Sequence, residues 1–258
     1  MSYKVTIAIP IYNVGKYIER CARSLFEQTF DSIQYVFVND CTPDNSIDIL
    51  EKTIEEYPHR KKDIQIIHHE ANKGLAGARI TALNAARGEY ILNTDSDDYI
   101  DLRTVELMYN KATEDDSDIV VCDMMMLWNK RKKVFYQPYS ADNIEYTKLL
   151  LDTSAMPGVV NKLIRTSLYR ENNVFPIEGI NMGEDYVTTP RLAYYAKRIS
   201  KIDLPLYYYS QTNESAYTKK YSKKSADNLI KAIHTLEHFF ENTPEKNLFE
   251  KNLLQGKL

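Results

Sequence analysis

Cysteine is scarce in this 258-residue chain: Cys21, Cys41 and Cys122 are odd in number, far apart and without metal-ligand spacing. No disulfide framework can organise the fold, and a reducing compartment, the cytoplasm, is expected. No stretch approaches the roughly 18 consecutive apolar residues of a membrane span. The first apolar run, residues 5–9, is too short for a signal-peptide core and lacks a small-residue cleavage site, so it reads as a strand. Internal repeats and low-complexity segments are absent. With a net charge of −3 the chain has no overall attraction to nucleic acid, and no nucleic-acid partner is expected.

What is present is the composition of a soluble globular protein, 43% hydrophobic and 27% charged, at a length that suits one large domain with an appendage. Short apolar runs alternate with amphipathic stretches. Strand-like residues 5–9, 35–38, 64–67, 90–92 and 119–122 are interleaved with helical patterns at Tyr17/Ile18/Cys21/Leu25, at Ile47/Leu50/Ile54/Tyr57, at residues 75–86 and at residues 102–111. This rhythm predicts an α/β fold, a mostly parallel sheet with helices on both faces that binds ligands at the C-terminal ends of its strands. Beyond Cys122 the rhythm weakens. Residues 124–129 and a basic run, Lys130-Arg131-Lys132-Lys133, precede a stretch read as polar and irregular, and helical patterns resume at residues 146–151 and 166–171. From residue 225 to 253 an amphipathic pattern broken at Pro244 predicts a hairpin of helices. The expected division is a catalytic domain over 1–215, with a nucleotide-binding half (1–123) and an acceptor-side half (124–215), and a helical extension over 216–258. The last residues offer no convincing finish, so a longer natural chain is expected.

Asp95-Ser96-Asp97-Asp98 is the most informative segment. It sets three carboxylates in four residues directly after the apolar run at 90–92. Hard oxygen ligands select Mg²⁺ or Mn²⁺, and a site with few protein ligands leaves coordination positions for substrate phosphates. The plain alternative is a polar loop, with Asp101 capping the helix that follows. Three further segments line up before it. Ile9-Pro10-Ile11-Tyr12-Asn13 ends the first strand, and by itself reads as a turn with Asn13 as N-cap. Val38-Asn39-Asp40-Cys41-Thr42-Pro43-Asp44 follows the second strand, with Asp44 placed to cap the next helix. Asn72-Lys73-Gly74-Leu75-Ala76-Gly77-Ala78-Arg79 opens a helix. Arg79 has Leu75 and Leu83 four residues away on either side, which leaves it no charged partner at that spacing.

In this order the segments resemble the inverting nucleotide-sugar glycosyltransferases of family 2, which have the GT-A fold, over residues 5–215. The resemblance implies contacts to the nucleotide from Pro10, Tyr12, Asp40, Arg79, Asp95 and Ser96, with Arg79 meeting the nucleotide or its diphosphate. It implies a Mn²⁺ or Mg²⁺ ion on Asp97, with Asp98 in support. Cys41 departs from the glycine common at its position. Gly183-Glu184-Asp185 resembles the family's glutamate-aspartate motif and makes Asp185 the expected catalytic base, although acidity at a helix start is by itself an ordinary stabilising feature. Asn161-Lys162-Leu163 resembles a segment that shapes the acceptor side. Tyr207-Tyr208-Tyr209 and the residues up to Ser215 are similar to the family's aromatic strand and closing loop, with Tyr217, Lys219 and Lys220 in place of a missing arginine or histidine.

The implied activity is metal-dependent transfer of a sugar from a nucleoside-diphosphate donor, a UDP-sugar by preference, to a glycan or lipid-linked acceptor in cell-surface polysaccharide synthesis. The alternatives are a sugar nucleotidyltransferase, disfavoured because no glycine occurs before Gly15 in the first loop, and a non-catalytic nucleotide-binding scaffold. His234 and His238 lie one helical turn apart and read as helix surface. The cluster of Lys219, Lys220, Lys223 and Lys224 reads either as a solvated charge run or as a peripheral contact with an anionic membrane at its inner face.

Overall fold

The computed structural model describes residues 3–213 and 222–256. Tyr217, Lys219, Lys220 and the 215/216 boundary lie outside the described residues. The first strand, β1 (Val5–Ile11), is buried along its whole length. A continuous apolar run of this kind suits a strand covered on both faces. β1 pairs in parallel with β2 (Ile33–Asn39) on one side and β4 (Tyr90–Asn93) on the other, and β2 pairs in parallel with β3 (Ile64–His68). The intervening helices are α1 (Ile18–Phe26), α2 (Ser46–Glu55) and α3 (Gly74–Ala85).

The second half extends this sheet through β8 (Lys162–Arg165), antiparallel to β4 and to β6 (Ile119–Trp128). β9 (Ile199–Ser210) runs parallel to β6, and the short β5 (Tyr99–Ile100) closes the far edge, giving the order β3-β2-β1-β4-β8-β6-β9-β5. Helices α1, α2 and α4 (Thr104–Glu114) bury Leu25, Phe26, Leu50 and Met108 on one face of the sheet. Helices α3, α5 (Asn143–Leu151), α6 (Thr166–Glu171) and α7 (Glu184–Tyr195) bury Ala78, Leu150, Leu168 and Leu192 on the other. The expected α/β architecture is therefore present.

Local boundaries differ from the sequence expectation in ways that have physical causes. The basic run, for which no strand is expected, and the start of the stretch read as irregular form strand β7 (Arg131–Phe135), hairpinned onto β6 with Trp128 opposite Arg131. Its lysines conceal the strand pattern because β7 is an edge strand with solvent beside it. Asn13 is not a cap: it adopts φ +55°, and α1 begins five residues later. Asp44 precedes the cap position Asn45 by one residue and accepts from Ser46 N at 3.2 Å. Asp101 likewise stands before the cap position Arg103, accepting from Arg103 N at 3.0 Å.

Helix α8 (Lys223–Glu241) ends short of Pro244, and α9 (Glu250–Gln255) follows a single 3-10 turn. Leu236, Phe240 and Phe249 are fully buried with Leu151, Tyr186 and Val187. The extension thus shares a core with α5 and α7. Truncating Phe240 to Ala is expected to cost about 3–5 kcal/mol. Urea denaturation read by circular dichroism and by tyrosine fluorescence will show one coincident transition if the extension folds with the sheet, and two if it is a separate unit.

Candidate active site

The site is assembled at the C-terminal ends of β1, β2 and β4. As β4 ends, Thr94 N still donates to Ala8 O at 3.0 Å, and the chain then turns, with Asp98 N donating to Asp95 O at 3.0 Å. Neighbouring elements pin this acidic turn. Ser96 Oγ donates to Pro10 O at 2.6 Å, Arg20 Nη2 donates to Asp97 O at 2.8 Å, and Asp95 N donates to the Tyr207 hydroxyl at 3.2 Å. Asp98 is buried and accepts from the Tyr207 hydroxyl at 2.7 Å and from Ser210 N at 2.6 Å. It thereby anchors β9 against the acidic turn, which suits a residue that supports the turn from behind its neighbours. That leaves Asp95 and Asp97 as the partly exposed carboxylates of the turn.

Asp97 Oδ2 accepts from Asn213 Nδ2 at 2.8 Å, while burial and then the charge of Asp95 push its carboxyl above the usual range. The Asp97 carboxylate is a hard oxygen donor of the kind that Mg²⁺ or Mn²⁺ selects, and a bound diphosphate would supply further ligands. Among the described residues no group of three or more His, Cys, Asp or Glu side chains forms a self-sufficient metal centre.

Arg79 is only 3% exposed. Its Nη2 donates to Asp95 Oδ1 at 2.8 Å, and its Nη1 lies 2.8 Å from Glu184 Oε1, also buried. The resemblance sets Arg79 on the nucleotide or its diphosphate; here two carboxylates of the protein are its partners. The guanidinium faces inward and joins the acidic turn to the start of α7. Burial pushes the Glu184 carboxyl up to about 8, against the opposing charge of Arg79 and with Asp185 and Asp95 adding to the rise. Sequence reasoning left Glu184 without a role of its own, since only the packing of α7 beside α3 reveals its partner.

Asp185, the next residue, is half-buried, and its Oδ1 accepts from Tyr186 N at 2.9 Å. Facing it is the loop that leads into β8, where a Cβ on Gly158 would stand 3.6 Å from Asp185 Oδ2. Lys162 holds this loop. Its fully buried Nζ donates to Gly158 O at 2.6 Å, Asn161 Oδ1 at 2.9 Å and Met156 O at 3.1 Å. Burial pulls this ammonium down to about 7, opposed by the charge of Asp185. The Tyr209 phenol sits within electrostatic reach of Asp95, Asp98, Asp97 and Asp185, and burial followed by those charges drives its titration upward. The acidic turn and the start of α7 thus converge on one region.

The loops after β1 and β2 are laced together on the opposite rim. Asn13 N donates to Thr42 Oγ1 at 2.7 Å and Gly15 N to Asp44 Oδ2 at 2.8 Å. Tyr12 is 50% exposed and presents an open ring, whereas Pro10 is buried with its carbonyl taken by Ser96. Asp40 is 2% exposed. Its carboxylate accepts from Lys73 N and Gly74 N, both at 2.8 Å, and lies 2.7 Å from His69 Nδ1, so its first task is to hold the start of α3. Cys41 adopts φ +56°, the left-handed conformation that glycine takes without strain.

The sequence model of glycosyl transferase family 2 matches residues 6–171. The chain belongs to that family and is a glycosyltransferase. It is 31% identical to the uncharacterized glycosyltransferase EpsJ of Bacillus subtilis, across 92% of this chain and 70% of EpsJ. It is 27% identical to the poly(ribitol-phosphate) beta-N-acetylglucosaminyltransferase TarS of Staphylococcus aureus, across 92% of this chain but only 39% of TarS. Its fold matches TarS 1–349 in complex with UDP-GlcNAc at a TM-score of 0.85 with 24% identity, covering 98% of this chain and 71% of that one. It also matches the mannosyltransferase PcManGT of Pyrobaculum calidifontis, in complex with GDP-Man and Mn²⁺, at 0.69 with 16% identity, covering 99% and 69%.

Two substitutions test this local architecture. Cys41→Gly is expected to stabilise the fold by about 1 kcal/mol by relieving the left-handed strain, measured by urea denaturation. Lys162→Met leaves two buried oxygens, Gly158 O and Asn161 Oδ1, without a donor, while Met156 O keeps Gln137 Nε2, and is expected to destabilise by about 2 kcal/mol. Faster amide exchange over residues 156–161 will accompany the loss if the clamp acts as described.

Proposed function

We propose that this glycosyltransferase moves a sugar, with inversion, from a nucleoside-diphosphate donor to a hydroxyl of a glycan or lipid-linked acceptor, and that the donor is a UDP-sugar. The observation that carries the proposal is the convergence of Asp95, Asp97 and Asp185 around Tyr209, with Arg79 and Glu184 tying the two sources of carboxylates together. The UDP-GlcNAc complex of TarS supports the donor class.

In this reading the open ring of Tyr12 and the loop held by Asp40 form the nucleobase wall, and Asp95 faces the ribose. A Mg²⁺ or Mn²⁺ ion would be held by Asp97, where it would offset charge on the diphosphate, as the Mn²⁺ complex of PcManGT suggests. Asp185 takes the proton of the acceptor hydroxyl. The acceptor oxygen then bonds to the anomeric carbon as the bond from that carbon to the diphosphate oxygen breaks, and the electron pair leaves on UDP. No covalent enzyme intermediate is required. Asp185 can act because the Lys162 clamp holds the loop containing Gly158 beside it while leaving it partly open.

The division into a GT-A domain over 1–215 and a helical extension over 216–258 belongs to the same proposal, as does a role in cell-surface polysaccharide synthesis on the cytoplasmic side of a membrane. Among the described residues no helix is long and apolar enough to cross a membrane.

Calorimetric titration of UDP, with Mn²⁺ and with a chelator, together with UDP release from UDP-sugars, tests the assignment. Asp97→Asn is expected to weaken Mn²⁺-dependent UDP binding at least tenfold. Asp185→Asn is expected to bind UDP normally and lose transfer by about 10²–10⁴-fold. An Asp185→Asn enzyme of undiminished activity would remove Asp185 from the base role.

A further inference from the structure

The β6–β7 hairpin carries Lys130, Arg131, Lys132 and Lys133 in succession, all exposed. The chain has 36 acidic residues against 33 Lys and Arg, yet among the described residues none of these four cations forms an ion pair. Arg131 instead lies over Trp128, with its guanidinium carbon 4.2 Å from the ring centroid, which orients that charge without pairing it to a carboxylate among the described residues. The result is a concentrated positive field on a protein of net negative charge.

Its position is what gives this field a use. On one side β6 stays in register with β9 as far as Leu127 opposite Ser210, and Gln211 N donates to Leu127 O at 2.8 Å. Two residues further on, Asn213 holds Asp97. On the other side the chain leaving β7 is fastened by Gln137, whose N donates to Asp123 Oδ1 at 2.8 Å and whose Nε2 donates to Met156 O at 3.0 Å. Met156 O is also an acceptor for Lys162, whose clamp places Gly158 beside Asp185. The hairpin is thereby tied at its two ends to the Asp97 side and to the Asp185 side of the site.

We propose that this hairpin docks an acceptor chain bearing repeated phosphate groups, an inference that rests on Asp185 marking the acceptor side. Protection of an edge strand against pairing accounts for a lysine within β7, but not for Lys130 in the turn or for four cations without a carboxylate partner. A membrane surface is the poorer occupant. The turn residues Asn129 and Lys130 are polar and Trp128 is overlaid by Arg131, so the tip offers no apolar side chain for insertion.

The test uses the whole chain and a variant combining Lys130→Ser, Lys132→Ser and Lys133→Ser. Binding of fluorescent inorganic polyphosphate is measured against salt, beside a neutral glucan oligosaccharide and vesicles of phosphatidylglycerol or phosphatidylcholine. The wild type is expected to bind polyphosphate, and the variant at least tenfold more weakly, with its log–log salt slope reduced by roughly two to three. Unchanged melting temperature and UDP affinity will show that fold and donor site are intact. Equal polyphosphate binding by both proteins, or none by the wild type, would overturn the proposal. Phosphatidylglycerol vesicles bound as tightly as polyphosphate, and lost equally in the variant, would replace it with a membrane contact. Failure of the wild type to bind UDP would count instead against the transferase site itself.

Discussion

The buried guanidinium of Arg79 is the constraint on which the site depends. One charged group, almost wholly withdrawn from water, spans Asp95 on the turn after β4 and Glu184 at the start of α7. These elements lie in different halves of the chain, and no backbone ladder joins them directly. Taking charges out of water is costly, and removing one partner of a buried pair leaves the others uncompensated, on the order of 3–5 kcal/mol. Asp40 and Asn181 secure the helix that delivers Arg79, since both accept from backbone N–H groups in its first turn or just before it.

Around that bridge the protein tolerates an unusual density of like charge. Asp98 is relieved by the Tyr207 hydroxyl and by Ser210 N, which also lock β9 against the acidic turn. Among the described residues Asp97 has Asn213 as its side-chain hydrogen-bond partner, and burial and Asp95 push it toward its protonated form. A divalent cation arriving with a diphosphate would reverse that penalty. Elsewhere the buried charge is of the other sign: Lys162 is a buried cation whose three donors hold a loop, and four exposed cations line the β6–β7 hairpin.

Much of this was legible in the sequence. The apolar runs that become β1, β2, β3 and β4 stand out because strands buried on both faces read as continuous hydrophobic segments. Asp95, Asp97 and Asp185 were named from motifs, and the structure brings them into one region. The edge strand β7 was missed because its solvent-facing lysines suppress the hydrophobic signal. Arg79 was assigned to the ligand because its lack of a partner at helical spacing says nothing about partners contributed by other segments. Asp98 is expected only in support of its neighbours, and what it supports is set by Tyr207 and Ser210, more than a hundred residues away, which donate to its two oxygens.

The sequence by itself determined the α/β class, the order of strands and helices in the nucleotide half, and which residue types stand at the strand ends. These follow from periodicity and local spacing, which a linear chain displays directly. Tertiary packing sets which carboxylates stay open and which become anchors, that Arg79 turns inward, and that Lys162 lies within reach of the charge of Asp185. Those outcomes depend on contacts between residues far apart in the chain, where burial and the geometry of each hydrogen bond set the role of a side chain.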